Sequence, residues 1–250
     1  MASIRKRDLF KVLMRSFYIQ STWNPERLLG LGFGFCLIPI ARRLFDDKKE
    51  LINFLQRHLD FFNSHPYMAT YALGAIASIE QQAVAKGWED KRSISVFKTR
   101  IIGPLGAIGD TLFWQLIRPA SGLLGIVLLS LFGFWGSIIY LVAYNLVHFY
   151  VRIKGLIKSY IKGFDIVRDL SLRGTKKYFQ GMKIIFSSFF GIAVAFFMTR
   201  IYQTPFSWAG VIVFLVSILV SSYIMRRPKI TVDMLIIIVI CSSIIIGLMV

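Results

Sequence analysis

Four stretches of this chain are almost free of charge. Residues 119–151, 184–199 and 201–225 contain no Asp, Glu, Lys or Arg, and residues 230–250 contain only Asp233. Apolar runs of about 18 or more residues predict helices that cross a membrane. None shows the period-2 alternation of a barrel strand. The pattern therefore predicts an all-α polytopic integral membrane protein, with short, discontinuous or re-entrant helices in its N-terminal half and long C-terminal spans. Three of those spans fall near 184–200, 207–225 and 231–249.

The N-terminal half reads differently. Over residues 4–20, Leu9, Phe10, Leu13, Phe17 and, less strictly, Tyr18 share one helical face opposite basic residues. This predicts an amphipathic helix lying on the membrane surface or on the protein's own cytoplasmic face. In "TWNPERLLGLGFGFCLIPIARRL", Asn24 suits an N-cap and Pro25 a first helical position. Gly30, Gly32 and Gly34 suit close approach of helix backbones in a short or discontinuous membrane helix. Residues 42–62 are charged and helical in pattern, residues 66–85 form a helix rich in small residues, and 86–100 form a basic connection. In "IIGPLGAIGDTLFWQLIRPASG", glycines and prolines interrupt an apolar stretch, which predicts a re-entrant hairpin with its tip at "GPLGAIGD" and Asp110 opening the next helix. Four regions follow: residues 1–22, an amphipathic cytoplasmic-surface helix; 23–151, a membrane core with re-entrant or discontinuous helices and the candidate binding site; 152–183, a basic cytoplasmic segment; and 184–250, three spans.

Charge adds sidedness. The net charge is +17 and is concentrated in a few segments: Arg5 to Arg15, residues 150–183, and Arg226-Arg227-Pro228-Lys229. Basic loops between spans mark the cytoplasmic side, so no nucleic-acid partner is inferred. Residues 119–151 then run from outside to inside, "RIYQTPFSW" lies outside, and an odd number of crossings precedes Pro119. Cys36 and Cys241 lie in apolar runs and read as small hydrophobes. No signal-peptide pattern opens the chain.

Two polar clusters bracket the 66–85 segment: Asn63-Ser64-His65 before it and Glu80-Gln81-Gln82 near its end. Thr70, Gly74, Ser78 and Gln82 recur every four residues and predict a helix-packing face. Ser64 or His65 can cap the helix, with Pro66 in its first turn. Glu80 is costly near a membrane, which points to a site, although a solvated helix end is the plain alternative. Carboxylate and amide groups together suit sugar hydroxyls, which both donate and accept. Asp110, with Trp114 a turn later, combines a rim hydrogen bond with a face for stacking; capping is again the alternative. His65 and Glu80 lie about 22 Å apart if the helix is continuous, so one small ligand cannot touch both. The substrate-binding candidates are thus Glu80, Gln81, Asp110, Asn63 and His65. No catalytic grouping, metal-ligand spacing, phosphate loop or cofactor motif stands out.

Several segments in one order, "RSFYIQSTWNPERLLGLGFGFCLIPIARRLF", "HLDFFNSHPY", "IEQQ", "GPLGAIGDTLFWQLIRP" and "KGFDIVRDL", resemble the IID membrane component of mannose/fructose/sorbose-type phosphotransferase systems (PTS) over about residues 4–183. The resemblance implies a bacterial cytoplasmic (inner) membrane protein that pairs with a IIC subunit, as a trimer of heterodimers, to translocate a hexose-type sugar. IIA and IIB proteins carry the phosphate; IID is a subunit of the phosphotransferase complex without being its phosphocarrier. The chain departs from the family's pattern in three places. "GPLGAIGD" stands where "GPLAGVGD" is usual, Pro25 replaces an aromatic residue, and "RIYQTPFSW" replaces a longer polar stretch, which bears on the outer contacts and sugar specificity. His65 matches a position where Gln also occurs, which argues against proton transfer there. Competing readings are a non-transporting scaffold or receptor with the same fold, and a membrane-embedded transferase.

Overall fold

The structure is a computed structural model that describes residues 3–170, together with Gly181 and Gly191. The described part belongs to the first of two compact units, residues 1–193 and 194–250. The three spans expected after residue 184, and "RIYQTPFSW", lie outside the described residues.

The described residues fold into helices only: α1 (Lys6–Ser16), α2 (Gly30–Leu44), α3 (Lys48–His58), α4 (Ala69–Ala85), α5 (Arg92–Gly109), a π-helical segment (Asp110–Ile117), α6 (Arg118–Phe132), α7 (Phe134–Lys162), a 3-10 turn (Gly163–Asp165) and α8 (Ile166–Asp169). Two continuous helical stretches, Arg92–Phe132 and Phe134–Asp169, are long and apolar enough to cross a membrane.

α4 packs chiefly on α7. Thr70, Gly74, Ser78 and Gln82 form the seam, as their spacing predicts. A Cβ on Gly74 would collide with the Ser159 side chain and the Leu156 carbonyl, one on Gly155 with Thr70 and Tyr71, and Gly163 lies against Ser78 and Gln82. Residue numbers rise together on both helices, so α4 and α7 run parallel. Small residues let the backbones approach, and dispersion contacts replace a hydrophobic driving force that lipid cannot supply.

α1 lies on α2, with Val12, Leu13 and Ser16 buried. Phe10 and Met14 stay exposed on another face of the helix. The glycines of α2 admit close neighbours, but from the segments that follow α1 and α3 and not from helix interiors: Cβ atoms there would meet the Asp60 carbonyl (Gly30), the Ile19 backbone (Gly32) and Leu59 (Gly34). α2 itself starts at Gly30, later than the Asn24–Pro25 signal. Asn24 instead accepts from Arg27 N at 2.9 Å and caps a tight turn. Leu28 closes that turn with φ 50°, an uncommon backbone for a residue with a side chain. Asp47 caps α3 by accepting from Glu50 N at 2.9 Å.

Three expectations are corrected. First, "GPLGAIGD" is no hairpin tip. α5 continues through Pro104 into the π-helical segment, and Asp110 lies inside one unbroken rod from Arg92 to Phe132. None of its glycines turns the chain: Gly109 sits against His65 and Met68, and Gly103 has open space around it. Second, 119–151 is not a single crossing. The chain reverses at Gly133, whose φ of 57° suits a residue without a side chain. Third, residues 92–100 are helical, so the basic connection shrinks to 86–91.

Candidate functional site

The continuous α4 keeps the two polar clusters apart, and each has a different setting. At the C-terminal end, Glu80 is fully buried. Arg57 donates to it from Nε (3.2 Å to Oε1) and from NH2 (3.0 Å to Oε1, 3.2 Å to Oε2). His58 Nε2 lies 2.9 Å from Oε1. A carboxylate only accepts, so His58 donates through Nε2–H, and its buried Nδ1 has no partner among the described residues. Burial pushes the His58 imidazole down from its ordinary range, against the upward pull of the Glu80 carboxylate. Three of these contacts fall on Oε1 and one on Oε2, and the whole carboxylate is out of reach of solvent. Gln81 Oε1 likewise accepts from Ile4 N and from the Tyr160 hydroxyl, both at 2.9 Å. Glu80 and Gln81 therefore join α4 to α3, to the start of the chain and to α7. The structure does not bring them to a cavity with Asn63, His65 and Asp110.

The N-terminal cluster does meet a cavity. About 460 Å³ of space is lined by Asn63, His65, Asp110 and Trp114, with Gln20, Trp23 and Gly106. Backbone pairing sets its floor: Leu29 N donates to Phe62 O at 2.9 Å and Phe62 N to Arg27 O at 3.2 Å. These bonds fix the loop that carries Asn63 beside the loop that carries Trp23. Lys98 pins the same loop by donating to the carbonyls of His58 and Asp60, each at 3.1 Å.

His65 caps the entry to α4. Its carbonyl accepts from Met68 N (2.9 Å) and Ala69 N (3.0 Å), and its Nδ1 accepts from Tyr67 N at 3.3 Å. Its ring stacks on Phe113 with centroids 4.9 Å apart and meets Trp114 edge-on at 5.8 Å. Asp110 and Trp114 are brought round by the π-helical segment, a distortion that recurs at functional sites. Asn63, Asp110 and Trp114 are exposed to the cavity, and His65 is nearly buried. The cavity thus offers a carboxylate, amides and two indole faces, suited to a small polyhydroxylated ring. Among the described residues no group of three or more His, Cys, Asp or Glu could hold a metal ion.

Sequence reasoning missed Gln20, Trp23 and Arg57, which come from segments distant in the chain. It also counted Arg152 among cytoplasmic basic residues, whereas Arg152 is buried. Its NH1 donates to Ser16 O (2.8 Å) and Ser16 Oγ (3.1 Å), and its guanidinium lies over Phe17 (4.8 Å) and Tyr67 (4.9 Å). An Arg at the cytoplasmic end of an apolar run has no local signal that separates these two fates.

Two helical stretches long and apolar enough to cross a membrane thus stand beside a cavity lined by polar and aromatic side chains. Comparison with known proteins supplies the chain's family. Residues 3–250 match the family described as "PTS system mannose/fructose/sorbose family IID component". The chain is 33% identical over 183 residues to the mannose-specific EIID component of Escherichia coli K12, covering 73% of this chain and 65% of that protein. It is 33% identical to the sorbose-specific EIID component of Lacticaseibacillus casei, covering 76% and 68%. It is 29% identical to the fructose permease IID component of Bacillus subtilis, covering 73% and 66%. The fold is similar to a chain of the mannose transporter ManYZ solved with microcin E492, with TM-score 0.63, 31% identity, and coverage of 78% of this chain and 71% of that one. A second solved membrane protein matches with TM-score 0.71 at 32% identity, covering 77% and 71%. The chain belongs to the IID component family of mannose/fructose/sorbose phosphotransferase systems.

Proposed function

We propose that this chain is the IID half of a sugar-translocating unit in a bacterial cytoplasmic membrane. It pairs with a IIC membrane subunit, as a trimer of heterodimers, and passes a hexose-type sugar to IIA and IIB proteins that phosphorylate it. The observation that carries this reading is the cavity at the start of α4. Asn63 and His65 reach it from the loop before α4 and Asp110 from the π-helical segment, beside Trp114, and its volume of about 460 Å³ exceeds what one hexose needs. In this reading Asp110 and Asn63 take the sugar hydroxyls, Trp114 stacks on the ring, and His65 shapes the wall. Glu80 and Gln81, the first candidates from sequence, are given no sugar contact because Glu80 is fully buried against Arg57 and His58 and Gln81 Oε1 is held by Ile4 N and the Tyr160 hydroxyl.

Orientation follows from charge. α5 begins with Arg92 and α7 ends with Lys154, Lys158 and Lys162, so both ends face the cytoplasm. The rod from Arg92 to Phe132 is the outward crossing, Gly133 is the outer tip, and α7 returns. Cells lacking their own IID, supplied with this chain and its IIC, IIA and IIB partners, are expected to accumulate phosphorylated mannose, fructose or sorbose. Omitting this chain alone abolishes that accumulation. Uptake that persists without it contradicts the proposal.

A further inference from the structure

A second cavity, of about 420 Å³, adjoins the first and shares Gln20, His65, Pro66 and Trp114 with it. Its volume falls within the roughly 300–1,000 Å³ of small-molecule sites. The wall beyond His65 and Trp114 is new: Tyr67, Arg118, Tyr140, Tyr144, Asn145 and His148. Tyr67 and His148 stack with centroids 4.7 Å apart, and the Tyr67 and Tyr144 hydroxyls lie 3.4 Å from one another. His148 is 7% exposed, its Nε2 lies 2.8 Å from Asn145 Oδ1, and its buried Nδ1 has no partner among the described residues. The Arg118 guanidinium lies over the Trp114 ring at 5.0 Å and meets no carboxylate among the described residues. All these groups sit on the two stretches long enough to cross a membrane or on the helix entry packed against them. Polar groups at that depth are costly unless something polar meets them.

The chemistry repeats that of the first cavity. Aromatic faces frame amide, hydroxyl and imidazole atoms that both donate and accept. That combination suits the faces and hydroxyls of a neutral sugar ring. No acidic side chain lines this cavity, which sets it apart from the Asp110 cavity.

Position gives it a role. Along the rod, Asp110 precedes Arg118 by eight residues, on the order of 10 Å. The second cavity is therefore the nearer of the two to the Gly133 tip. We propose that it is an entry station for the hexose: sugar arriving from the tip side lodges between Tyr67, Tyr144 and Asn145, then passes the wall made by His65 and Trp114 to reach Asn63 and Asp110. This rests on the sugar-transport reading of the first cavity.

The test uses the assembled complex with the IIC partner in membranes. Asn145→Cys and Asn63→Cys report on the two cavities through their rates of modification by a small thiol reagent, with and without mannose, fructose or sorbose. The parent chain sets the background from Cys36 and Cys241, and Tyr144→Cys serves as second reporter if Asn145→Cys does not assemble. At least one sugar is expected to slow modification at both positions several-fold. Adding Asp110→Asn is expected to remove protection at position 63 and leave protection at position 145. Protection at 145 that never occurs, or that disappears together with protection at 63, overturns the entry station. Protection absent at both positions, with uptake unchanged by Asp110→Asn, overturns the first cavity's reading as well.

Discussion

Arg57 and Glu80, 23 residues apart in sequence, meet in a three-bond contact of 3.0–3.2 Å that locks α3 to α4. Glu80 is fully buried, while the Arg57 side chain is 19% exposed. Removing one partner from a buried pair costs roughly 3–5 kcal/mol, because the other is left uncompensated. Arg57 retains some access to water, which places Glu80→Gln at the lower end, about 3 kcal/mol. The variant is expected to lower the thermal stability and yield of the complex, while the fraction that assembles binds sugar with unchanged affinity. Thermal unfolding in detergent, paired with sugar titration, checks both halves.

The α4–α7 seam predicts a contrast between two glycines. A side chain at Gly74 would strike the Leu156 backbone carbonyl, which cannot swing aside. Gly74→Val is expected to destabilise by roughly 1–3 kcal/mol and to reduce assembly with IIC. Gly103 has open space around its missing side chain. Gly103→Ala in the same assay is expected to be neutral or to stabilise by about 0.5–1 kcal/mol, the usual gain for a helix interior.

Arg152 ties α1 to α7 through Ser16 and lies between the Phe17 and Tyr67 rings. A lysine keeps the charge but loses the planar fork and its stacking. Arg152→Lys is expected to loosen α1 by about 1–3 kcal/mol, the range for charged hydrogen bonds left unmade. Faster tryptic cleavage at Arg7 and Lys11 in the folded complex is the readout, and parent-like cleavage contradicts it.

Labelling tests the hairpin. Trp135, beside the Gly133 tip, is 70% exposed, and Asp90 lies in the 86–91 connection. Trp135→Cys is expected to react with a membrane-impermeant reagent in intact cells, and Asp90→Cys only after permeabilisation. The reverse order would invert the proposed orientation.

What could be read from sequence depended on whether the cause was local. The Thr70–Gly74–Ser78–Gln82 seam was legible because small residues every fourth position have one structural use in an apolar helix. The glycines of α2 were legible as points of close approach, while the segments they meet were not. Glu80 was not: a lone carboxylate in an apolar helix signals a site or a buried pair equally well, and Arg57 is on another helix. Gly103, Pro104 and Gly106 read equally as a turn or as helix interior, and the Gly109 contact with His65 and Met68 joins distant segments. The reversal at Gly133 was hidden inside an uncharged run, where no charge marks the turn. Of the cavity, Asn63, His65, Asp110 and Trp114 were visible as polar or aromatic interruptions of apolar sequence. Gln20 and Trp23 were not, because the pairing of Leu29 with Phe62 that brings their loop alongside joins distant segments.

The most direct measurement is sugar affinity of the purified IIC–IID complex carrying Asp110→Asn, by calorimetric titration with mannose, fructose and sorbose. Asp110 is exposed to its cavity, so the substitution leaves the fold and the assembly intact. A charged hydrogen bond to the ligand contributes roughly 1.5–3 kcal/mol, so affinity is expected to fall about ten- to a hundredfold. Parent-level affinity in the intact Asp110→Asn complex, with loss of affinity in Glu80→Gln instead, would contradict the account and move the sugar to the other end of α4.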